Sequence, residues 1–179
     1  NWQIFHDWLV ENDIKPDVLI NNAGVLPRFD RLMNYTKEEI DESINIDFYS
    51  AAYSSKIMLP LLMESETPAI VNVASSAALM ALGGTSMYSA SKAAVKGLTE
   101  AMREELRGEA YIGLVCPGFT KTDIFRNQGE TNGMDLINMV STPCHKAVNT
   151  ILKGILSKKS YIVVGFDGNA MGRFNRLMP

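Results

Sequence analysis

The sequence predicts an α/β fold, a doubly wound parallel sheet with helices on both faces. Two observations carry this. Short apolar runs closed by turn-forming residues alternate with helical patterns of about ten residues or more. Small and polar residues gather where those runs end, at Asn21 to Gly24, at Ser75 and at Pro117 to Thr122. Right-handed crossovers bring such ends to one edge of a parallel sheet, the edge at which ligands bind.

The elements follow in order. Trp2, Ile4, Phe5, Trp8 and Leu9 are the apolar members of an amphipathic helix ending around Asn12-Asp13, ahead of Lys15-Pro16. Asp17-Val18-Leu19-Ile20-Asn21 reads as a buried strand closed by the turn Asn21-Asn22-Ala23-Gly24. After a polar loop, Thr36 and Glu39 form a capping box that opens a long helix, from about Thr36 to Met63. Asn45 lies in its middle, and Pro60 is placed to kink its last turns. The run from Pro68 to Ala74 is a second strand, with Ser75 and Ser76 at its carboxyl end. A loop with Gly83-Gly84 leads into a helix that carries Tyr88 and runs to about Arg107. Tyr111 to Cys116 is a third strand, stopped by Pro117-Gly118. Residues Thr120 to Ser141 have no clear period. Thr142, as cap, and Pro143, at the first helical position, start a helix to about Ser157. Ser160 to Val164 is a fourth strand, and Asn169 to Met178 a short final helix, packed on the domain rather than set in a membrane.

At 179 residues the chain is one domain, long enough for a substantial core. It is 46% hydrophobic and 21% charged, with a net charge of −3 and no long basic run. Nucleic acid and acidic membrane surfaces are therefore poor candidate partners. No apolar stretch is long enough to span a bilayer and no signal-peptide pattern occurs, so the cytosol is the default location. Cys116 and Cys144 lack metal-ligand spacing and read as buried thiols. His6 and His145 are isolated, and the Asp41-Glu42 and Glu104-Glu105 pairs read as solvated helix faces.

The chemistry centres on Tyr88-Ser89-Ala90-Ser91-Lys92. Four residues apart on one helix, Tyr88 and Lys92 share a face and can meet. A free phenol titrates near ~10, and a nearby ammonium lowers that value, so Tyr88 could pass a proton to or from a substrate oxygen. Ser75, thirteen residues upstream, could donate a hydrogen bond to the same oxygen. A Tyr–Lys pair at this spacing also occurs on ordinary helices. Its company along the chain sets this one apart.

Taken together, Asn21-Asn22-Ala23-Gly24, Asn45, Ser75, Tyr88-x-x-x-Lys92 and Pro117-Gly118-Phe119-x-x-Thr122 resemble the short-chain dehydrogenases/reductases, in that family's order and close to its spacing. The resemblance covers nearly the whole chain. It points to the shorter-chain reductase branch rather than to the nucleotide-sugar epimerases.

The resemblance implies a Rossmann-like domain and hydride transfer between a carbonyl and an alcohol, with NADP or NAD as cofactor. It makes Tyr88 the general acid/base. Lys92 tunes Tyr88 and holds the nicotinamide ribose, and Ser75 polarises the carbonyl; Ser76 competes for that role but has the poorer spacing. Asn45 would anchor a water in a proton relay through its main-chain carbonyl, freed by a local bend; the alternative is an ordinary exposed helical asparagine. Asn21, Asn22, Ala23 and Gly24 would approach the adenosine half, Gly24 giving close backbone access. Pro117, Gly118, Thr120 and Thr122 would lie at the nicotinamide, unless Pro117-Gly118 is a plain turn.

The family's glycine-rich phosphate loop has no counterpart among the 13 glycines, and neither does the residue that selects NAD or NADP. The expectation is that the first βαβ units, roughly 60–70 residues, precede this sequence in a longer parent. The strand at Asp17 to Asn21 would then have an open, apolar edge here. The segment Asp123 to Ser141, about residues 123–142, would cover the substrate. Met80 to Leu82, Met134 and Leu136 favour a partly lipophilic small molecule. The two long helices resemble the pair that forms the family's homodimer or homotetramer. A competing reading is a cofactor-free remnant that acts only as an interaction or structural piece.

Overall fold

The computed structural model describes residues 2–128, 139–166 and 168–170. Four parallel strands lie in sequence order, β1 (Val18–Asn21), β2 (Ala69–Val73), β3 (Tyr111–Pro117) and β4 (Tyr161–Val164). Asn21 is in register with Asn72, and Leu114 with Tyr161. Helix α1 (Trp2–Glu11) precedes β1. Helices α2 (Lys37–Ser43) and α3 (Ser50–Leu62), joined by a π-helical turn over Ile44–Tyr49, lead to β2. Helix α4 (Ser86–Glu105) connects β2 to β3, and α5 (Cys144–Leu156) connects β3 to β4.

Strand alternation divides the core between the two faces. Leu19, Ile70 and Ile112 pack with Leu9, Met58, Leu62 and Met102 of α1, α3 and α4. Further along that face Leu114 and Cys116 meet Ala51 and Val95. On the other face Val71, Val115, Ile162 and Val164 pack against Ala147, with Ile151 and Ile155, of α5. Helices therefore cover both faces, as the doubly wound pattern requires. Among the described residues β1 pairs only with β2, and its side chains Val18 and Ile20 are exposed.

The long helix opens at Thr36 with both halves of the capping box formed: the Glu39 N–H donates to Thr36 Oγ1 and the Thr36 N–H to Glu39 Oε2. It runs through Pro60 to Leu62. The α5 start differs from the sequence expectation. Pro143 is the cap and Cys144 the first helical residue. Thr142 instead bridges to Thr120, its N–H donating to Phe119 O while its carbonyl accepts from Lys121 N–H. Cys116 is buried as expected, whereas Cys144 is exposed, because the first turn of α5 leaves the sheet at the rim of the domain; both thiols are free. Met134, Leu136 and most of the expected final helix lie outside the described residues.

Candidate active site

The carboxyl ends of the strands meet around a cavity of about 580 Å³. Strand β2 delivers Ser75. The Ala74 N–H donates to Val115 O at 2.8 Å, which prolongs the sheet to the serine itself. Ser75 caps a short 3₁₀ turn, Ser76–Ala78, and accepts from the Ala77 N–H at 3.1 Å. Helix α4 delivers Tyr88 and Lys92 from its first two turns. Its approach is fixed by Thr85, whose hydroxyl bonds Leu82 O and Ser89 Oγ. The loop before it is tied to the loop after β1: the Asp30 N–H donates to Gly84 O, and the Tyr35 hydroxyl lies 2.8 and 3.0 Å from Arg28 O and Gly84 O. Gly84 has φ +83°, which a side chain would strain.

Ser75, Tyr88 and Lys92 all line the cavity, with Asn22, Gly24, Pro117, Gly118, Thr120 and Thr122. The Ser75 hydroxyl hydrogen-bonds the Tyr88 phenol. The Lys92 Nζ is 5.7 Å from the Tyr88 ring centroid and donates to Val73 O at 3.5 Å. Ser76 lines the cavity beside Ser75.

Three predicted residues fall elsewhere. The Asn21 side chain is buried behind the turn, donating to Asn72 Oδ1 and Ser55 Oγ and accepting from Ser54 Oγ, so its amide is fully used within the fold. Ala23 is exposed and does not line the cavity. Asn45 is exposed too, and its carbonyl accepts the Ser50 N–H across the π turn. The local bend expected at Asn45 is there, but it presents a different residue, Asp47.

Asp47 is buried beneath the cavity, its Oδ1 3.6 Å from Lys92 Nζ. It accepts from the Val25 N–H at 2.7 Å and from Ser91 Oγ at 2.8 Å. A π turn inserts one residue relative to an α-helix and so rotates the side chains that follow by about 100°. Sequence reasoning missed Asp47. The signal was there: its neighbours three and four residues away are Ser43, Ile44, Ser50 and Ala51, so no local cation could pair it on an exposed face.

Burial dominates the electrostatics. It raises the Asp47 carboxyl and lowers the Lys92 ammonium, while each partner's charge opposes the shift of the other. Burial also pushes the Tyr88 phenol up to about 12; the Ser75 hydrogen bond pulls it down and the Asp47 charge adds to the rise. The lowering by Lys92 expected from the sequence is not seen: burial is the largest influence on the phenol, and Lys92 is not among the groups that shift it. Near neutral pH the Tyr88 phenol therefore keeps its proton.

The outer wall of the cavity is apolar, with Leu26, Leu82, Ile124, Val148 and Ile151. Phe125 lies between Phe29 and Phe119, with centroids 6.5 and 6.1 Å apart. Among the described residues no cluster of three metal-ligating side chains occurs, and no helix is long and apolar enough to cross a membrane.

The model of the short chain dehydrogenase family matches residues 5–133. Ketoacyl reductase HetN of Nostoc is 35% identical over 149 residues, 83% of this chain and 51% of that protein. An 11-beta-hydroxysteroid dehydrogenase-like protein of Arabidopsis thaliana is 31% identical, over 89% of this chain and 51% of its own. The chain thus spans about half the length of these curated relatives. Among solved structures, a short chain dehydrogenase/reductase from Burkholderia phymatum in complex with NAD superposes with a TM-score of 0.81 at 24% identity, covering 98% of this chain and 69% of that one.

Proposed function

The chain belongs to the short chain dehydrogenase family, and from that membership we propose that it carries the catalytic half of an oxidoreductase that interconverts a carbonyl and an alcohol with NAD or NADP. The observation that supports this most directly is the convergence of Ser75, Tyr88 and Lys92 on one cavity at the carboxyl edge of a parallel sheet.

Gly24 lines the cavity without a side chain, which suits a close approach by a dinucleotide; a Cβ there would also stand 2.8 Å from Lys92 Nζ and displace the lysine. Asn22 and Gly24 would hold the adenosine side, Tyr88 and Lys92 the ribose, and Pro117, Gly118, Thr120 and Thr122 the carboxamide. The bound dinucleotide supplies or accepts the hydride. In reduction Tyr88 donates its proton to the carbonyl oxygen, which is more basic than the phenolate once it becomes an alkoxide. The Ser75 hydroxyl donates to the same oxygen and fixes it before proton transfer.

The apolar wall and the three phenylalanines support a lipophilic substrate, an aliphatic or polycyclic ketone rather than a sugar. The exposed pair Tyr49 and Tyr53 along the long helix, with centroids 5.7 Å apart, supports a homo-oligomeric contact there. A cytosolic location is part of the same reading.

The test is a titration with NADPH and NADH followed by reduced-cofactor fluorescence, then a screen of aliphatic and polycyclic ketones with Tyr88→Phe as control. Saturable binding, and turnover that falls about 10²–10⁴-fold in the control, are expected. Binding to neither cofactor by a folded sample of this chain, and also by a longer protein that adds a glycine-rich phosphate loop, would overturn the proposal and favour an interaction or structural remnant.

A further inference from the structure

The buried pair Asp47–Lys92 goes beyond the serine, tyrosine and lysine of the proposed reaction. The two side chains are 0% and 3% exposed, and Nζ and Oδ1 are 3.6 Å apart. Such a carboxylate is costly unless it is paired and hydrogen-bonded. Here the lysine faces Oδ1, and the fold holds both oxygens: Oδ1 by the Val25 N–H, which follows the turn after β1, and Oδ2 by Ser91 Oγ, one residue before Lys92. Gly24 lies against both partners, and a Cβ there would be 2.8 Å from Nζ and 3.2 Å from Oδ1. Three elements thus converge on one ion pair at the floor of the cavity.

We propose that Asp47 is a positioning residue for this reaction: its carboxylate, fixed by Val25 and Ser91, holds the Lys92 ammonium within reach of Tyr88 and provides the counter-charge that lets a cation persist in so buried a place. Among the described residues Asp47 is the one charged group acting on Lys92, and Lys92 the one charged group acting on Asp47. Tyr88 faces Lys92 from its own helix. Strand β2 offers it only the carbonyl of Val73, and the turn after β1 only Gly24. If Asp47 is neutralised, nothing else offsets the burial of Lys92. The ammonium then loses its proton at lower pH, and the substrate oxygen loses the field that Lys92 exerts through Tyr88 and the ribose.

The inference rests on the dehydrogenase reading, but its first readout needs no turnover. In the intact chain labelled with ¹⁵N-lysine, the Nζ resonance of Lys92, assigned by its loss in Lys92→Met, is titrated in the wild type and in Asp47→Asn. Asparagine can still accept from the Val25 N–H through Oδ1, and its amide nitrogen can donate to Ser91 Oγ, whose own proton goes to Tyr88 O, so the fold is retained. The Lys92 pKa is expected to fall by about 1–3 units. The alkaline limb of kcat/KM for ketone reduction should move down by the same amount. In Lys92→Met the reciprocal change is read from the Asp47 carboxyl ¹³C shift, whose midpoint should rise. A Lys92 pKa unmoved in a folded Asp47→Asn variant overturns the proposal. So does an Asp47 midpoint unmoved in Lys92→Met. A shifted Lys92 pKa without ketone turnover supports the pair while sinking the dehydrogenase reading.

Discussion

Asn21 and Asn72 face each other across the neighbouring strands β1 and β2, the Asn21 amide donating to Asn72 Oδ1 at 2.7 Å. Asn72 in turn donates to Thr99 Oγ1 of α4, and Asn21 accepts from Ser54 Oγ of α3. The chain locks β1, β2, α3 and α4 together just behind the cavity. Asn72→Ala removes the middle link and leaves the buried Asn21 amide and Thr99 hydroxyl each one partner short. A loss of about 1–3 kcal/mol is expected, read as a lower urea midpoint with an unchanged m-value.

At Gly24 the expected effect is on rate rather than stability. A methyl group there displaces Lys92 by contact at 2.8 Å. Gly24→Ala should keep its circular dichroism while losing roughly 10²-fold in kcat, the scale of a misplaced catalytic group. Wild-type turnover in that variant would show that the lysine has room to retreat.

Much of this architecture could be read from the sequence. The capping box at Thr36, the four strands and the Tyr88–Lys92 face follow from local chemistry and periodicity, and the structure places them as expected. Asp47 could not be placed that way, because the π turn breaks the 3.6-residue phase on which helical faces are assigned. The partners of the Asn21 side chain were hidden for a different reason. An asparagine in a turn looks like a ligand contact, and only the register with Asn72 shows that its amide is taken. Cys144, read as buried, is exposed because it opens α5 at the rim of the domain.

The aromatic wall should govern substrate size. Phe125 touches both Phe29 and Phe119. Phe125→Ala is expected to cut kcat/KM for a polycyclic ketone by about 10- to 100-fold, the transfer value of one aromatic side chain, and to leave a short aliphatic ketone little changed. Equal losses on both substrates would assign Phe125 to folding instead.

Stability should fall on the alkaline side. Burial pushes Tyr88 from 10.0 to about 12 and Cys116 from 9.0 to about 12. Tyr161 rises from 10.0 to about 12, by burial and then by the hydrogen bond to Glu100. Between those ordinary values and 12 the folded chain binds more protons than the unfolded one, so stability decreases as pH rises through that window. Lys92, lowered by burial, works in the opposite sense, while Tyr35 and Tyr111, both raised by burial, add to the decline. Urea midpoints should decline from about pH 9 upward, and the phenolate absorbance of Tyr88, read as the difference from Tyr88→Phe, should appear together with unfolding rather than before it. A Tyr88 phenol that titrates in the folded protein would contradict this.

The exposure of Cys144 has a practical use. It lies in the cavity wall, while Cys116 is buried with its thiol pushed up to about 12. A maleimide dye should therefore attach at one position only, at the cavity mouth, without any engineered residue. Its emission would report occupancy of the pocket directly, and a ligand that shields the thiol would reveal itself by slowing the attachment.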